Sequence, residues 1–303
     1  MAKLIFNGVG INYLYHNEGS RHTLLFIHGF GGSSRDWESL ISYLPPEQSY
    51  LTMDLPGCGE SEKGDDLNLY SFSAIADIIK TIVKANKIGS VVPCGYSAGG
   101  RIVFYLSANE ILKTQKGFVA ISSTPGIADD LERKKRKKAD RALAKEIREK
   151  GTAEWLEKWL SLDMFNGLKN LPEEFMSDYR EQRLKNDPEV LSNYLLMSGT
   201  GVMAPLHSKL SRTGIMTPLY LKISGTGEVV LNHSKFYGGN RFNQKGLLIT
   251  GKNDLKYCKI AERLSRMNKD FQHFVVKESW HTVYIEKPKE TVALILKFLT
   301  DLN

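Results

Sequence analysis

Val91-Val92-Pro93-Cys94-Gly95-Tyr96-Ser97-Ala98-Gly99-Gly100-Arg101 is the stretch on which the fold turns. An apolar run of strand character ends at Gly95, and a helix is expected from Ala98 to about Ser107. Glycines on both sides of a serine allow a strand-to-helix turn too sharp for larger residues, with the serine lifted above the sheet in an unusual backbone conformation. The pattern G-x-S-x-G also arises by chance, so its flanks and its partners further along decide its weight. Pro93 is awkward here, because proline cannot donate to a central ladder; a strand beginning at it remains open.

Outward from this turn, short apolar runs alternate with amphipathic stretches. Residues 24–27, 50–53, 91–94 and 118–121 are strand candidates. Between them, residues 71–84 set Phe72, Ile75, Ile78, Ile79, Ile82 and Val83 at helical spacing. Such alternation predicts βαβ units, hence an α/β fold with a mainly parallel sheet flanked by helices. Residues 3–15, with Gly8 and Gly10 between two alternating runs, predict an antiparallel hairpin at the sheet edge. From Ile127 the chain becomes charged and rich in helix formers, which predicts a helical cap over 127–213 inserted after the sixth strand. Strand character returns at 219–223, 246–250 and 273–276, and a last helix is expected over 289–299. The expected division is a core over 1–126 and 214–303, carrying the cap and an extra hairpin-like segment at 217–243. No repeat of solenoid length is visible.

The chain has 303 residues, 42% hydrophobic and 25% charged, which fits one large domain with an insertion. No run of about 18 apolar residues exists, so no membrane-spanning helix is expected. The apolar stretch at the N-terminus is too short for a signal peptide. Cys58, Cys94 and Cys258 are scattered without CxxC spacing, which argues against a disulfide framework or zinc site and for a reducing, cytoplasmic setting. Residues 133–138 supply six of the 41 Lys and Arg residues behind the net charge of +7. The run lacks interleaved aromatics or a binding motif, so no nucleic-acid partner is expected. It reads as a solvated helix face, with one or two members free to turn inward toward an acidic substrate.

The partners of Ser97 follow in the order serine, acid, histidine: Asp254 after strand 246–250, and His281 after strand 273–276. In that arrangement His281 accepts the serine proton and Asp254 holds the imidazole in one tautomer. The strand-like piece at 217–225 leads to Glu228 as an alternative acid; Asp254 is preferred, because the chain after it runs through a helix into the histidine strand. His28-Gly29-Phe30 follows the strand 24–27, and the backbone N–H of Phe30 with that of Ala98 would form an oxyanion hole. The turn at 54–61 reads as chiefly structural. Arg101 lies four residues beyond Ser97, on the same helix face. It is either a brace for the helix or a cation held near the serine for a carboxylate.

His28-Gly29-Phe30, Asp54-Leu55-Pro56-Gly57, Gly95 to Arg101 and Ser123-Thr124-Pro125-Gly126-Ile127 together resemble the 2-succinyl-6-hydroxy-2,4-cyclohexadiene-1-carboxylate synthases of menaquinone biosynthesis, within the α/β-hydrolase superfamily. So do Glu157-Lys158-Trp159-Leu160 with Phe165, Glu181-Gln182-Arg183-Leu184, Ser198-Gly199-Thr200-Gly201 and Asp254-Leu255-Lys256-Tyr257. The resemblance covers nearly the whole chain apart from 217–243. It implies a lyase, in which the triad serine takes a ring proton and pyruvate leaves from an enolpyruvyl ether. It also implies a polycarboxylate substrate met by Arg101, Arg136 and Arg183, with Trp159 in the pocket wall and Tyr96 before the serine. No metal or organic cofactor is implied, and monomer and homodimer both stay open. Cys58 stands where the family has histidine in its Leu-Pro-Gly-His-Gly turn. The rival reading is a serine hydrolase acting on a small ester, thioester or carbon–carbon bond, because the same triad serves both; a non-catalytic binding protein is the third.

Overall fold

The computed structural model describes residues 2–211 and 242–302. Eight strands form one sheet: β1 (Ala2–Phe6), β2 (Val9–His16), β3 (Thr23–Ile27), β4 (Tyr50–Met53), β5 (Val91–Tyr96), β6 (Gly117–Ile121), β7 (Lys245–Gly251) and β8 (Phe271–Val276). Their order is β1-β2-β4-β3-β5-β6-β7-β8, with β1/β2 and β2/β4 antiparallel and the other pairs parallel. The sheet is therefore mostly parallel, with the antiparallel hairpin at its edge, as its sequence pattern predicts. Asn7 and Gly8 make the hairpin turn, both with positive φ, which suits this residue pair.

Alternation along the strands feeds two cores. Leu25, Ile27, Leu51, Met53, Phe118 and Ala120 face one side, where α2 (Phe72–Ala85), α3 (Ala98–Ala108) and α8 (Leu255–Met267) pack. Leu24, Phe26, Val92, Cys94, Val119 and Ile121 face the other, covered by α1 (Glu38–Ile41), α9 (Val283–Glu286) and α10 (Pro288–Asp301). Both faces are buried, which is why the central strands read as unbroken apolar runs.

β5 begins at Val91 and passes through Pro93, so the strand does not start at the proline. Val91 directs its N–H and C=O toward Thr114 and Lys116, on the β6 side. Pro93, two residues on, shares that direction, and pairing with β6 starts only at Cys94. Between the Val91–Gln115 bridge and the Cys94–Val119 pair the register slips by one residue, so the donor that proline lacks falls at a break in the regular ladder, while its register with Leu25 of β3 is kept.

After β6 the chain leaves the sheet and returns at β7. It runs through α4 (Asp130–Leu160), α5 (Glu173–Leu184), α6 (Pro188–Ser198) and α7 (His207–Leu210). Gly151, at φ 84°, breaks α4 into two helical pieces. Tyr194 Oη donates to Pro56 O at 2.8 Å, and Asn186 Nδ2 donates to Gly31 O at 3.0 Å, tying this layer to the loops after β4 and β3. The expected strand at 219–223, Glu228 and most of the segment 217–243 lie outside the described residues. Among the described residues no helix is long and apolar enough to cross a membrane.

Packing is close at the β5–α3 junction. A Cβ on Gly99 would stand 2.1 Å from Ile27 O, and one on Gly95 would stand 2.4 Å from the Gly99 backbone. Neither obstacle is a flexible side chain. Gly99→Ala is therefore expected to lower stability by about 1–3 kcal/mol as an overpacked core site. A urea denaturation midpoint equal to that of the unaltered chain would contradict the close approach.

Candidate active site

Ser97, Asp254 and His281 emerge from the carboxyl ends of β5, β7 and β8, the edge of an open α/β sheet where ligand crevices form. Ser97 has φ 48° and ψ −102°, the strained turn anticipated for a serine between glycines. Its N–H donates to Ile121 O at 2.9 Å, and Ser123 Oγ donates to its carbonyl at 2.7 Å, which over-determine that conformation. His281 Nε2 lies 3.0 Å from Ser97 Oγ, and His281 Nδ1 lies 2.7 Å from Asp254 Oδ2. His281 and Asp254 are almost wholly buried, while Ser97 keeps partial access.

The loops holding this chain of bonds brace one another. Asn253 N–H donates to Ser279 O at 3.0 Å, and His281 N–H donates to Met164 O at 3.2 Å. Glu286 accepts from Trp280 N, Thr282 N and Thr282 Oγ1, clamping the backbone on both sides of His281. Burial pushes the Glu286 carboxyl above its ordinary range against those donors. Burial likewise pushes His281 below its ordinary 6.5, although hydrogen bonding to Asp254 pulls the other way. A depressed pKa keeps the imidazole neutral near pH 7, the state able to accept a proton.

Phe30 N–H sits in the turn after β3, and Ala98 N–H is the first of α3, where no intrahelical acceptor exists. Among the described residues neither donates to a turn or loop carbonyl. His28 fixes this turn, with Nδ1 on Gly29 O at 2.8 Å and Nε2 accepting from Leu55 N at 3.1 Å. Asp54 accepts from Ser34 N, Asn12 Nδ2 and Glu60 N, so the 54–61 turn is held by structural bonds.

An aromatic wall surrounds the histidine. Ring centroids of Tyr257, Tyr96 and Phe165 lie 4.7, 5.2 and 5.8 Å from that of His281. Trp159 stands 5.2 Å from Phe165 and 5.5 Å from Phe30, which joins it to the same wall. The sequence reading named Trp159 and Tyr96 but gave Tyr257 no role. Its signal was available: Tyr257 lies three residues after Asp254, at the start of a helix, and so faces the same side.

The cations divide. Arg101 donates through Nη2 to Ser198 O at 3.2 Å, while its Nε is buried without a hydrogen-bond partner. Burial lowers its guanidinium to about 10, which leaves it charged at neutral pH. Within the basic run only Arg133 and Arg136 are half-buried; Lys134, Lys135, Lys137 and Lys138 are exposed. Arg136 Nε is held by Asp140 Oδ1 at 2.6 Å, and Asp140 also accepts from Gly201 N at 3.0 Å. Arg183 is placed differently from the sequence expectation of a substrate contact. Its Nη2 meets both oxygens of Asp36 at 3.0 and 3.1 Å, its guanidinium lies 3.2 Å from the Tyr179 ring centroid, and only 4% of the residue is exposed. Desolvating an arginine favours a nearby carboxylate, and Asp36 on the core loop supplies it.

This fold and this site define a class. The alpha/beta hydrolase fold model matches residues 22–199, and the chain belongs to that family. A Bacillus subtilis (strain 168) protein provisionally named 2-succinyl-6-hydroxy-2,4-cyclohexadiene-1-carboxylate synthase is 26% identical over 295 residues, covering 97% of this chain and 96% of its own. The Citrobacter koseri protein of that name is 28% identical over 188 residues, 62% of this chain and 71% of its own. The solved structure of MenH from S. aureus aligns with a TM-score of 0.81 at 25% identity, over 96% of this chain and 98% of that one.

Two outcomes follow from the geometry. Because His281 must be neutral to accept a proton and burial lowers its pKa, the acid-side fall of kcat/KM should set in at lower pH than for an ordinary imidazole. A pH–rate profile already falling above 7 would contradict the neutral buried imidazole. Arg183→Met removes one partner of a buried pair and should cost about 3–5 kcal/mol in denaturant unfolding. Unchanged stability with a raised KM would instead make Arg183 a substrate contact.

Proposed function

We propose that this chain is a 2-succinyl-6-hydroxy-2,4-cyclohexadiene-1-carboxylate synthase, a carbon–oxygen lyase that eliminates pyruvate from 2-succinyl-5-enolpyruvyl-6-hydroxy-3-cyclohexene-1-carboxylate. The observation that carries the reading is Arg101: a cation without a carboxylate partner, one helical turn beyond a serine already bonded to His281. The likeness to named synthases over nearly the full chain supports it.

In this reaction Ser97 Oγ, its proton accepted by His281 Nε2, takes the ring proton. Asp254 keeps the other imidazole nitrogen protonated and stabilises the cation that forms. The ring electrons form a double bond as the ether C–O bond breaks, and the departing enolpyruvate takes back a proton to become pyruvate. Negative charge developing on the substrate during proton removal is met by the N–H groups of Phe30 and Ala98. Arg101 and Arg136 bind substrate carboxylates, Trp159 and Tyr96 shape the apolar wall, and Arg183 acts as a latch between cap and core. No cofactor takes part.

The decisive assay supplies the enolpyruvyl substrate and follows pyruvate release, with nitrophenyl esters in parallel. Pyruvate release is expected, falling at least about 10³-fold in Ser97→Ala. Arg101→Ala and Arg136→Ala should each lose about 10–100-fold in kcat/KM, as charge-assisted hydrogen bonds are removed. Rapid ester turnover without pyruvate would establish a serine hydrolase instead.

A further inference from the structure

His281 sits in a run whose backbone is held at every step. The N–H groups of Trp280, His281 and Thr282 are consecutive, and all three are engaged. Met164 O accepts the middle one at 3.2 Å. Glu286 takes the outer two, Trp280 N through Oε2 at 2.8 Å and Thr282 N through Oε1 at 3.1 Å. Thr282 Oγ1 also donates to Oε1, at 2.7 Å.

Helix capping alone does not account for these bonds. Thr282 stands at the N-cap of α9, and a carboxylate about one turn later that accepts the N-cap N–H is a common way to close a helix start. The Thr282 hydroxyl, however, makes no cap bond and turns to Glu286 instead. The bond to Trp280 N reaches beyond the cap to the far side of His281, where no helix requires it. The two backbone partners are obligate donors, one on each oxygen, so both oxygens must accept; a carboxylate does this and an amide does not. Burial raises the Glu286 carboxyl while the three bonds pull it back, so charge and clamp sustain one another.

The cap closes the remaining side. A Cβ on Gly167, in the 3₁₀ stretch Asp163–Asn170, would collide with Glu286 Oε2 and Cδ, so the carboxylate keeps its seat because residue 167 lacks a side chain. The same stretch supplies Met164 O and sets the Phe165 ring 5.8 Å from the imidazole. We infer that Glu286 is a positioning residue for the reaction: it holds the His281 backbone so that Nε2 and Nδ1 meet their partners together, and Gly167 of the cap is the seat it needs. This rests on the elimination reading above for the reaction in which His281 works. The imidazole must serve Ser97 Oγ at 3.0 Å and Asp254 Oδ2 at 2.7 Å, and a shift toward one lengthens the other. Misplacing a reacting group by about 1 Å can cost on the order of 10²-fold in rate. Glu286 bonds to neither partner, so its loss should be felt in turnover and not in substrate affinity.

The test compares the unaltered enzyme with Glu286→Gln, Gly167→Ala, the double variant and the exposed control Glu290→Gln. For pyruvate release, kcat is expected to fall about 10–100-fold in each single clamp variant, with KM within roughly twofold, and to stay unchanged in the control. The double variant should be no slower than Glu286→Gln, because both changes remove one clamp. The downfield proton NMR signal of His281 Nδ1–H bonded to Asp254, assigned by its loss in His281→Ala, should shift or broaden in both clamp variants and stay in place in the control. Unchanged kcat, a loss confined to KM, multiplied losses in the double variant, or an unmoved proton signal would each overturn the proposal. If the unaltered enzyme releases no pyruvate, the reaction reading fails, and the proton signal judges the clamp by itself. Thermal unfolding shows which variants keep the fold. Gly167→Ala leaves Glu286 and its partners in the chain and displaces only the end of a flexible side chain, so it carries the test should Glu286→Gln not fold.

Discussion

Everything at this site depends on how closely α3 approaches the ends of β3 and β5. Gly99 presses against the Ile27 carbonyl, and Gly95 against the Gly99 backbone, at distances that leave no room for a methyl group. That contact forces Ser97 into its positive φ. It also aims the first N–H of α3 at the space above the serine, beside the turn that carries Phe30. A strand, a helix and a loop thus meet at one point, and the backbone fixes the Cα that carries the reacting oxygen, whose contact with His281 Nε2 sets its direction. Such preorganisation is what an electrostatic site requires, since donors fixed beforehand need no rearrangement as charge develops.

From that point the chain of bonds runs through His281 to Asp254, and the histidine loop is fixed from outside by Glu286. This carboxylate touches neither the serine nor the acid, yet its three accepted bonds lock Trp280 and Thr282 on each side of the imidazole. Met164, from the layer between β6 and β7, takes the His281 N–H. The cap and the histidine are therefore mechanically joined, as the cap and the β3 loop are through Arg183 and Asp36. A shift of the cap would be felt at the imidazole directly.

Much of this was legible in the sequence, and for identifiable reasons. The central strands are buried on both faces, so their runs of Val, Ile, Leu and Phe mark their own positions, and the strand-to-helix serine turn marks the sheet edge that carries the chemistry. Three features were not legible. Pro93 seemed unfit for a central strand because the sequence does not show that the ladder's register slips by one residue at that point, between the Val91–Gln115 bridge and the Cys94–Val119 pair. Arg183 looked like a substrate cation because the sequence does not show that Asp36, 147 positions away, reaches its guanidinium. Glu286 gained its role from a loop clamp on Trp280 and Thr282, which depends on how separate segments converge and not on spacing along one element.

The contrast between the arginines bears on what the site binds. Arg183 and Asp36 are both nearly excluded from solvent and satisfy each other, so that pair needs nothing further. Arg136 has a carboxylate on Nε but keeps its side chain 38% exposed, leaving the outer edge of its fork accessible. Arg101 has only a neutral carbonyl partner, with a buried nitrogen unpaired. Holding a guanidinium in that state costs free energy in the folded chain, because desolvation is uncompensated by an opposite charge. A simple ester would leave that cost in place, while an anionic ligand would recover it on binding. The contrast between the fully paired Arg183 and the unpaired Arg101, one helical turn beyond the serine, therefore favours a carboxylate substrate over a neutral one. It favours Ser97 acting as a base on an acid held in place, since charge anchoring positions a proton without requiring the serine to attack an acyl carbon.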